Sequence, residues 1–209
     1  MKSKIIPIFF LAIGLGFTAV LASVYSDAGV LYRKRERTQL PVLGDAPTFE
    51  LTDVDGKTIT RESLAGNVWT LNFFFTSCEQ VCPALIDNVR AMQAKFPLEA
   101  PLRAVAISVD PKNDTAERRK AYMAAHELLP ARWHLLSGPI EEVRRISEKD
   151  LKAVLGEDVS LHSTRVFLVD GNGKIRGSYL GLKPDDMEKL RKDARTLSRL
   201  LTEANAAQG

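Results

Sequence analysis

The stretch Val68–Pro83, VWTLNFFFTSCEQVCP, decides the fold and holds the chain's two cysteines, Cys78 and Cys82. Residues 68–75 form a nearly continuous apolar, β-prone run, which predicts a strand buried on both faces. A helical pattern begins at Pro83, directly after the second cysteine. Both sulfurs are therefore expected where a buried strand turns into a helix. In open α/β sheets, ligands bind at this edge.

On either side of this stretch, strand-type and helix-type segments alternate. One hairpin is predicted before it, with a turn at Asp55-Gly56, and another near the C-terminus, with a turn at Gly171–Gly173. This order predicts an α/β fold with parallel core strands, helices on both faces and antiparallel edges. The other predicted strands are 103–110, 133–138, 165–170 and 174–181, and the predicted helices are 83–96, 115–126, 140–154 and 184–204.

The N-terminal segment Ile5–Ser26 contains no charged residue. A helix over it would be about 30 Å long, enough to cross the hydrocarbon core of a bilayer. We expect residues 1–26 to form a transmembrane anchor, the alternative being a signal peptide cleaved after Ala22. Residues 27–45 are expected to be a polar linker and residues 46–209 a single globular domain.

Composition sets limits on the function of that domain. Of the 209 residues, 45% are hydrophobic and 26% are charged, and the net charge is +3, as in ordinary globular proteins. Both charge signs are interspersed and the basic clusters lack aromatic residues, so no nucleic-acid partner is expected.

Basic residues flank the apolar segment on both sides and leave its orientation in the membrane open. We expect a bacterial inner membrane with the domain facing the periplasm.

The spacing of Cys78 and Cys82 favours a metal over a permanent disulfide. Residues four apart on a helix have Cβ atoms about 5–6 Å apart. A disulfide needs about 3.5–4.5 Å, so the loop before the helix would have to tighten. Two sulfurs on one soft metal ion sit far enough apart to avoid that strain. A helix N-terminus also stabilises thiolates. The structural alternative is two small buried side chains.

A third ligand would most naturally be an imidazole, and the chain has three histidines. His126 lies near a predicted helix C-terminus and His134 within a predicted strand, where structural roles are typical. His162 precedes the strand 165–170 and would approach the cysteines if that strand runs antiparallel to 68–75. The residues alone leave this choice open.

Three stretches, TSCEQVCP, AISVDPKNDT and LHSTRVFLVDGNGKIRGSYLG, together resemble the Sco/SenC family of membrane-anchored, thioredoxin-like copper proteins. The resemblance covers roughly Gly44 to the C-terminus. It implies a thioredoxin-like fold and copper, as Cu(I), Cu(II) or both, bound by Cys78, Cys82 and His162. It further implies a metallochaperone, not a turnover enzyme, for the dinuclear copper centre of cytochrome c oxidase. The partner would be the copper-bearing oxidase subunit or another copper protein.

Three acidic residues near the cysteine motif bear on the resemblance: one departs from the family pattern and two match it. Glu79 stands where the family often has proline, and its carboxylate could raise the pKa of Cys78 and attract cations. Asp110 and Asp114 match an acidic pair of the family, which implies support of the ligands or docking of a partner. Ordinary turn and capping roles beside Thr115 explain the pair as well.

Two other functions compete with copper assembly. A thiol–disulfide reductase would use Cys78 and Cys82 as a redox-active pair, and copper occupancy would then depend on redox state because oxidation expels the metal. A peroxidase of the same superfamily needs threonine or serine three residues before the reactive cysteine. Phe75 occupies that position and argues against it.

Overall fold

The computed structural model describes residues 40–152 and 164–207, which form a six-stranded mixed sheet, a separate two-stranded hairpin and covering helices. The strands are β1 Gly44–Asp45, β2 Glu50–Thr52, β3 Thr58–Thr60, β4 Val68–Phe74, β5 Leu102–Ser108, β6 Trp133–Leu136, β7 Arg165–Val169 and β8 Lys174–Leu180. The helices are α1 Val81–Gln93, α2 Ala116–Ala125, α3 Ile140–Arg144 and α4 Pro184–Ala206, with a 3-10 turn at Glu62–Leu64 and a π-helical segment at Arg145–Leu151. The predicted α/β architecture is confirmed.

Strand β4 lies inside the sheet, whose order is β1-β8-β7-β4-β5-β6. It pairs in parallel with β5 and antiparallel with β7, so the sheet changes direction at this strand. All seven residues of β4 are buried. Its continuous apolar run follows from this position, because neither face of the strand meets water.

Both faces of the sheet are covered. The face of β4 that carries Trp69, Leu71 and Phe73 packs against the β2–β3 hairpin, α3 and the π-helical segment. On the opposite face, Phe74 contacts Tyr122 of α2 with ring centroids 5.4 Å apart. Each fully buried side chain of this size contributes about 1.5–3 kcal/mol, so both layers are held mainly by apolar burial.

The predicted continuous helix over 140–154 is interrupted. An α-helical turn, α3, passes directly into the π-helical segment at Arg145. Ile146 and Leu151 are both completely buried and are five residues apart. A π turn, with hydrogen bonds from i to i+5, brings residues at this spacing onto one side, whereas an α-helix separates them.

Both predicted hairpin turns are confirmed, and each needs a glycine. Gly56 has φ +79° and Gly173 has φ +72°, in the left-handed region that side chains disfavour. In each turn a carboxylate oxygen, from Asp53 or Asp170, accepts two backbone N–H hydrogen bonds at 2.9–3.0 Å. These turns are therefore encoded locally.

One buried arginine fixes the β2–β3 hairpin to the sheet. Arg119 of α2 is 3% exposed and donates hydrogen bonds to the carbonyl oxygens of Thr52 and Leu135, both at 2.8 Å. It also donates to the carbonyl oxygen of Asp53 at 3.3 Å. The guanidinium thereby joins the hairpin to the edge strand β6.

The predicted membrane anchor, residues 1–26, lies outside the described residues, as does most of the predicted linker, 27–45. The end of that linker is described: it contains β1, in which Gly44 pairs with Ile175 of β8. Within residues 40–152 and 164–207, no helix combines the length and the hydropathy needed to cross a membrane.

Candidate functional site

The cysteine loop, residues 75–80, lies at the edge of the sheet where β4 and β5 end. Strand β7 runs antiparallel to β4, with Leu71 paired to Phe167. Its first residue, Arg165, therefore lies at the same edge as the cysteine loop. The prediction that His162 approaches the cysteines required β7 to run antiparallel to β4, and this requirement is met.

Thr164, the residue before β7, is linked to α1 through one glycine. Its carbonyl oxygen accepts a hydrogen bond from the Gly181 N–H at 2.8 Å, and the carbonyl oxygen of Gly181 accepts one from Asn88 Nδ2 at 2.9 Å. Gly181 has no room for a side chain, since an added Cβ would lie 2.1 Å from Leu85 Cδ1. The start of β7 is thus held against the helix that carries Cys82.

The two sulfurs meet at the N-terminus of α1. The helix starts at Val81, two residues before the predicted start at Pro83, which is tolerated because the first-turn nitrogens need no helical partner. The Cys82 backbone N–H donates to Cys78 Sγ at 3.2 Å, which links the two cysteines at the start of the helix. Both cysteines are free, Cys78 partly exposed and Cys82 7% exposed.

The surroundings of Cys78 favour its thiolate. Partial burial raises the pKa of this thiol, but hydrogen bonds from the Cys82 thiol and from the N–H groups of Cys82, Gln80 and Val81 outweigh burial and hold the pKa below its ordinary value. The expected increase in pKa from Glu79 is therefore wrong. That carboxylate is exposed to water, and the helix N-terminus dominates.

Cys82 has the opposite environment. Burial raises the pKa of its thiol to about 12, and the hydrogen bond with Cys78 and the negative charge of Asp114 act in the same direction. A backbone hydrogen bond with Phe75 opposes them. The pair therefore combines one accessible, readily ionised sulfur with one buried sulfur that keeps its proton until a cation displaces it.

Asp114 of the predicted acidic pair reaches the cysteine loop. Its carboxylate is 1% exposed and accepts hydrogen bonds from the Thr76 N–H at 3.0 Å, the Thr76 hydroxyl at 2.5 Å and the Ser108 hydroxyl at 2.5 Å. Asp110 instead accepts from Asn113 Nδ2 at 2.8 and 3.0 Å, within the turn before α2. Asp114 ties the loop to the end of β5, and Asp110 shapes a turn.

Sequence reasoning missed three residues around the loop: Thr76, Ser108 and Tyr122. A signal for the first two was present, since both are hydroxyl residues where neighbouring parallel strands end. Tyr122 gave no such signal. Its spacing in the sequence is typical of the apolar face of an amphipathic helix, and only the tertiary packing places its ring in contact with that of Phe74.

The histidines have separate surroundings. His126 ends α2 with Nδ1 3.1 Å from Asp87 Oδ1, and His134 lies in β6, where burial lowers the pKa of its imidazole. Within residues 40–152 and 164–207, no three metal-binding side chains are clustered. His162 lies outside the described residues.

Chemically, the paired sulfurs fit a soft metal ion. Thiolates prefer Cu(I) and Zn(II) among biological metals, and two at one helix N-terminus supply half or more of the ligands of such a site. The same pair can also be oxidised to a disulfide if the loop tightens. The geometry supports metal binding and thiol redox chemistry alike.

Known proteins are similar to this chain in sequence. The sequence profile described as SCO1/SenC matches residues 41–198. The SCO1 protein homolog of Bacillus subtilis is 31% identical over 166 residues, which cover 77% of this chain and 86% of that protein.

Solved structures share the fold. The structure of BsSco, described as a member of the Sco family of cytochrome c oxidase assembly proteins with a disulfide switch, matches with a TM-score of 0.66 at 30% identity, covering 77% of this chain and 98% of that one. Arabidopsis thaliana ScoI with copper bound matches with a TM-score of 0.57 at 25% identity, covering 73% of this chain and 98% of that one. The fold is therefore the thioredoxin-like α/β fold that the resemblance implies. The matched profile spans well over half of the sequence, including both cysteines, and the chain belongs to the SCO1/SenC family.

Proposed function

We propose that this protein is a copper-binding assembly factor that helps to deliver copper to, or to mature, the dinuclear copper centre of cytochrome c oxidase. The observation that carries the proposal is the pair of cysteines at the N-terminus of α1, linked by the hydrogen bond from the Cys82 N–H to Cys78 Sγ, at the edge where β7 begins. The relatives support it, since ScoI binds copper and BsSco belongs to a family of oxidase assembly proteins. The recipient is the copper-bearing oxidase subunit or another copper protein.

Cys78, Cys82 and His162 would hold the ion. Two residues of chain span at most about 7 Å, so a side chain two positions before Thr164 starts close to the anchored end of β7. Thiolates suit Cu(I), and an imidazole suits both Cu(I) and Cu(II). Cys78 offers a ready thiolate, and Cys82 loses its proton on binding, so metal uptake releases protons.

We also propose that residues 1–26 anchor the protein in the bacterial inner membrane. The uncharged stretch Ile5–Ser26 supports this. The linker 27–45 would then hold the domain 46–209 in the periplasm, where an exported copper site of an oxidase is accessible.

Copper titration of the reduced, full-length protein tests the copper proposal. We expect close to one copper per chain and a thiolate-to-Cu(II) absorption band. Cys78→Ser, Cys82→Ser and His162→Ala should each abolish tight binding. His134→Ala is the matched control, because His134 lies in β6 and should leave binding unchanged. Unchanged binding in His162→Ala would refute the third ligand, and unchanged binding in both cysteine variants would refute the site.

A thiol–disulfide reductase is the second candidate function. It is favoured by the contrast between an ionisable, accessible Cys78 and a buried Cys82 bonded to it, which suits an attacking and a resolving thiol. The reduction potential of the pair and its exchange rate with a small model disulfide test this function. Fast exchange that Cys78→Ser abolishes, together with weak copper binding, would favour the reductase.

A further inference from the structure

A cavity of about 370 Å³ lies at the end of α1 that is remote from the cysteines. Its wall includes Arg90 and Gln93 from the last turns of α1, the loop before β5, and Arg132 and Trp133 where β6 begins. Along α1, Gln93 is roughly 16 Å from Cys82, at a rise of about 1.5 Å per residue. Small organic ligands typically occupy cavities of about 300–1,000 Å³. The cavity is therefore large enough for such a ligand and separate from the proposed copper site.

Gln93 carries a buried amide group that the fold does not use. The residue is 3% exposed, and its Nε2 has no hydrogen-bond partner among residues 40–152 and 164–207. Buried polar side chains without a partner are rare in folded proteins. Since Gln93 lines the cavity, a molecule bound there can supply the acceptor that the protein itself does not provide.

Arg132 is buried in the same wall without a counter-ion. It is 4% exposed, and its terminal nitrogens donate to the carbonyl oxygens of Gln93 and Pro97, while its Nε has no acceptor among the described residues. In the part of the chain that the structure describes, no carboxylate forms an ion pair with it. Burial lowers the pKa of its guanidinium, and the exposed Glu99 offsets this effect only in part. Buried charges are normally paired, so the cavity favours an anion.

The rest of the wall limits the charge and polarity of the occupant. Arg90 and Glu127 both line the cavity, but they pair with each other at 3.1 Å, so the charge of Arg132 remains uncompensated. Leu98 and Leu129 also line it, and these large apolar side chains are 66% and 50% exposed. A bound molecule with one negative charge and an apolar body would therefore neutralise the arginine and cover apolar surface that otherwise contacts water.

We propose that this cavity binds a small monocarboxylate with an apolar body, whose two carboxylate oxygens accept hydrogen bonds from Gln93 Nε2 and Arg132 Nε. Hydrogen bonds to an ionised carboxylate are stronger than those between neutral groups, and the arginine adds charge pairing. The proposal uses neither cysteine and does not depend on the proposed copper function.

Calorimetric titration of the reduced, full-length protein with phenylacetate tests the proposal, and phenylacetamide, of the same shape but uncharged, is the matched ligand. We expect one phenylacetate per chain, bound at least about tenfold more tightly than phenylacetamide, because hydrogen bonds to a charged group are the stronger ones. Cys78→Ser should bind phenylacetate as the unaltered protein does. No binding of phenylacetate, equal affinity for the two ligands, or loss of binding in Cys78→Ser would each overturn the proposal.

Gln93→Met locates the site, since it removes the amide donor and keeps the length of the side chain. Without ligand this variant should unfold at no lower temperature than the unaltered protein, because the Gln93 amide nitrogen makes no hydrogen bond there. Its affinity for phenylacetate should fall about tenfold. Lys95→Met is the control: it removes an exposed positive charge two residues away and should leave the affinity unchanged. Unchanged affinity in Gln93→Met, or an equal loss in Lys95→Met, would contradict the proposed contact.

Discussion

Two buried charges, five residues apart, are used in different ways. Asp114 lies beside the start of α2 and accepts three hydrogen bonds, which fix the cysteine loop. Arg119 lies within α2 and donates three, which fix the β2–β3 hairpin. Asp114 acts on the segment that carries the chemistry, and Arg119 on a segment that covers the core. Their loss should therefore separate site function from global stability.

The largest expected effect comes from Arg119→Met. Removing the guanidinium removes three hydrogen bonds from a buried charged donor and should cost about 3–5 kcal/mol of unfolding free energy. Copper affinity of the remaining folded protein should be unchanged. Urea unfolding followed by circular dichroism measures the first quantity and copper titration the second. Loss of copper binding in the folded variant would show that the two regions are coupled.

Asp114→Ala should have the next largest effect. It leaves Thr76 and Ser108 without their acceptor, and we expect a cost of about 2–3 kcal/mol together with weaker copper binding. Asp114→Asn should cost about 1 kcal/mol, because the Ser108 hydroxyl can rotate and accept from the new amide. Comparing the two variants by unfolding and copper titration separates loss of the hydrogen bonds from loss of charge.

The charge of Asp114 also affects the Cys82 thiol, and alkylation measures this effect. Iodoacetamide should modify Cys78 first, with a rate that rises below the ordinary thiol pKa, and Cys82 only near pH 12. The Asp114 carboxylate raises the pKa of Cys82, so Asp114→Asn should shift Cys82 modification to lower pH. Peptide mapping across pH gives both profiles. An unshifted Cys82 profile would contradict the electrostatic coupling.

The smallest effect is expected at Lys120, the neighbour of Arg119. Its ammonium group pairs with Asp55 at 2.9 Å, but both side chains are more than 60% exposed. Lys120→Met should leave the unfolding free energy essentially unchanged, because water screens such exposed pairs. The variant also serves as the matched control for Arg119→Met in the same unfolding assay. If Lys120→Met lost as much unfolding free energy as Arg119→Met, the difference in burial between the two side chains would not explain the effect of Arg119→Met.

Local signals predicted most of the fold. The apolar run of β4 and the glycine turns at Gly56 and Gly173 are each encoded in a few neighbouring residues. The π-helical segment was not predicted, because a period of 3.6 cannot be told from a wider turn over so short a segment.

The site was only partly predictable. Both cysteines follow from their position after a buried strand. The roles of Asp114 and Arg119 depend on contacts between elements that are distant in sequence, and no local pattern specifies those contacts.

The antiparallel pairing of β4 with β7 has a consequence during synthesis. The cysteines leave the ribosome roughly 80 residues before the strand that completes their edge of the sheet. A nascent chain that ends before Arg165 exposes two thiols without the neighbouring strand and cannot assemble the proposed three-ligand site. If the proposed three-ligand site holds copper, only chains that include β7 should acquire it, and termination products that end before Arg165 should remain copper-free.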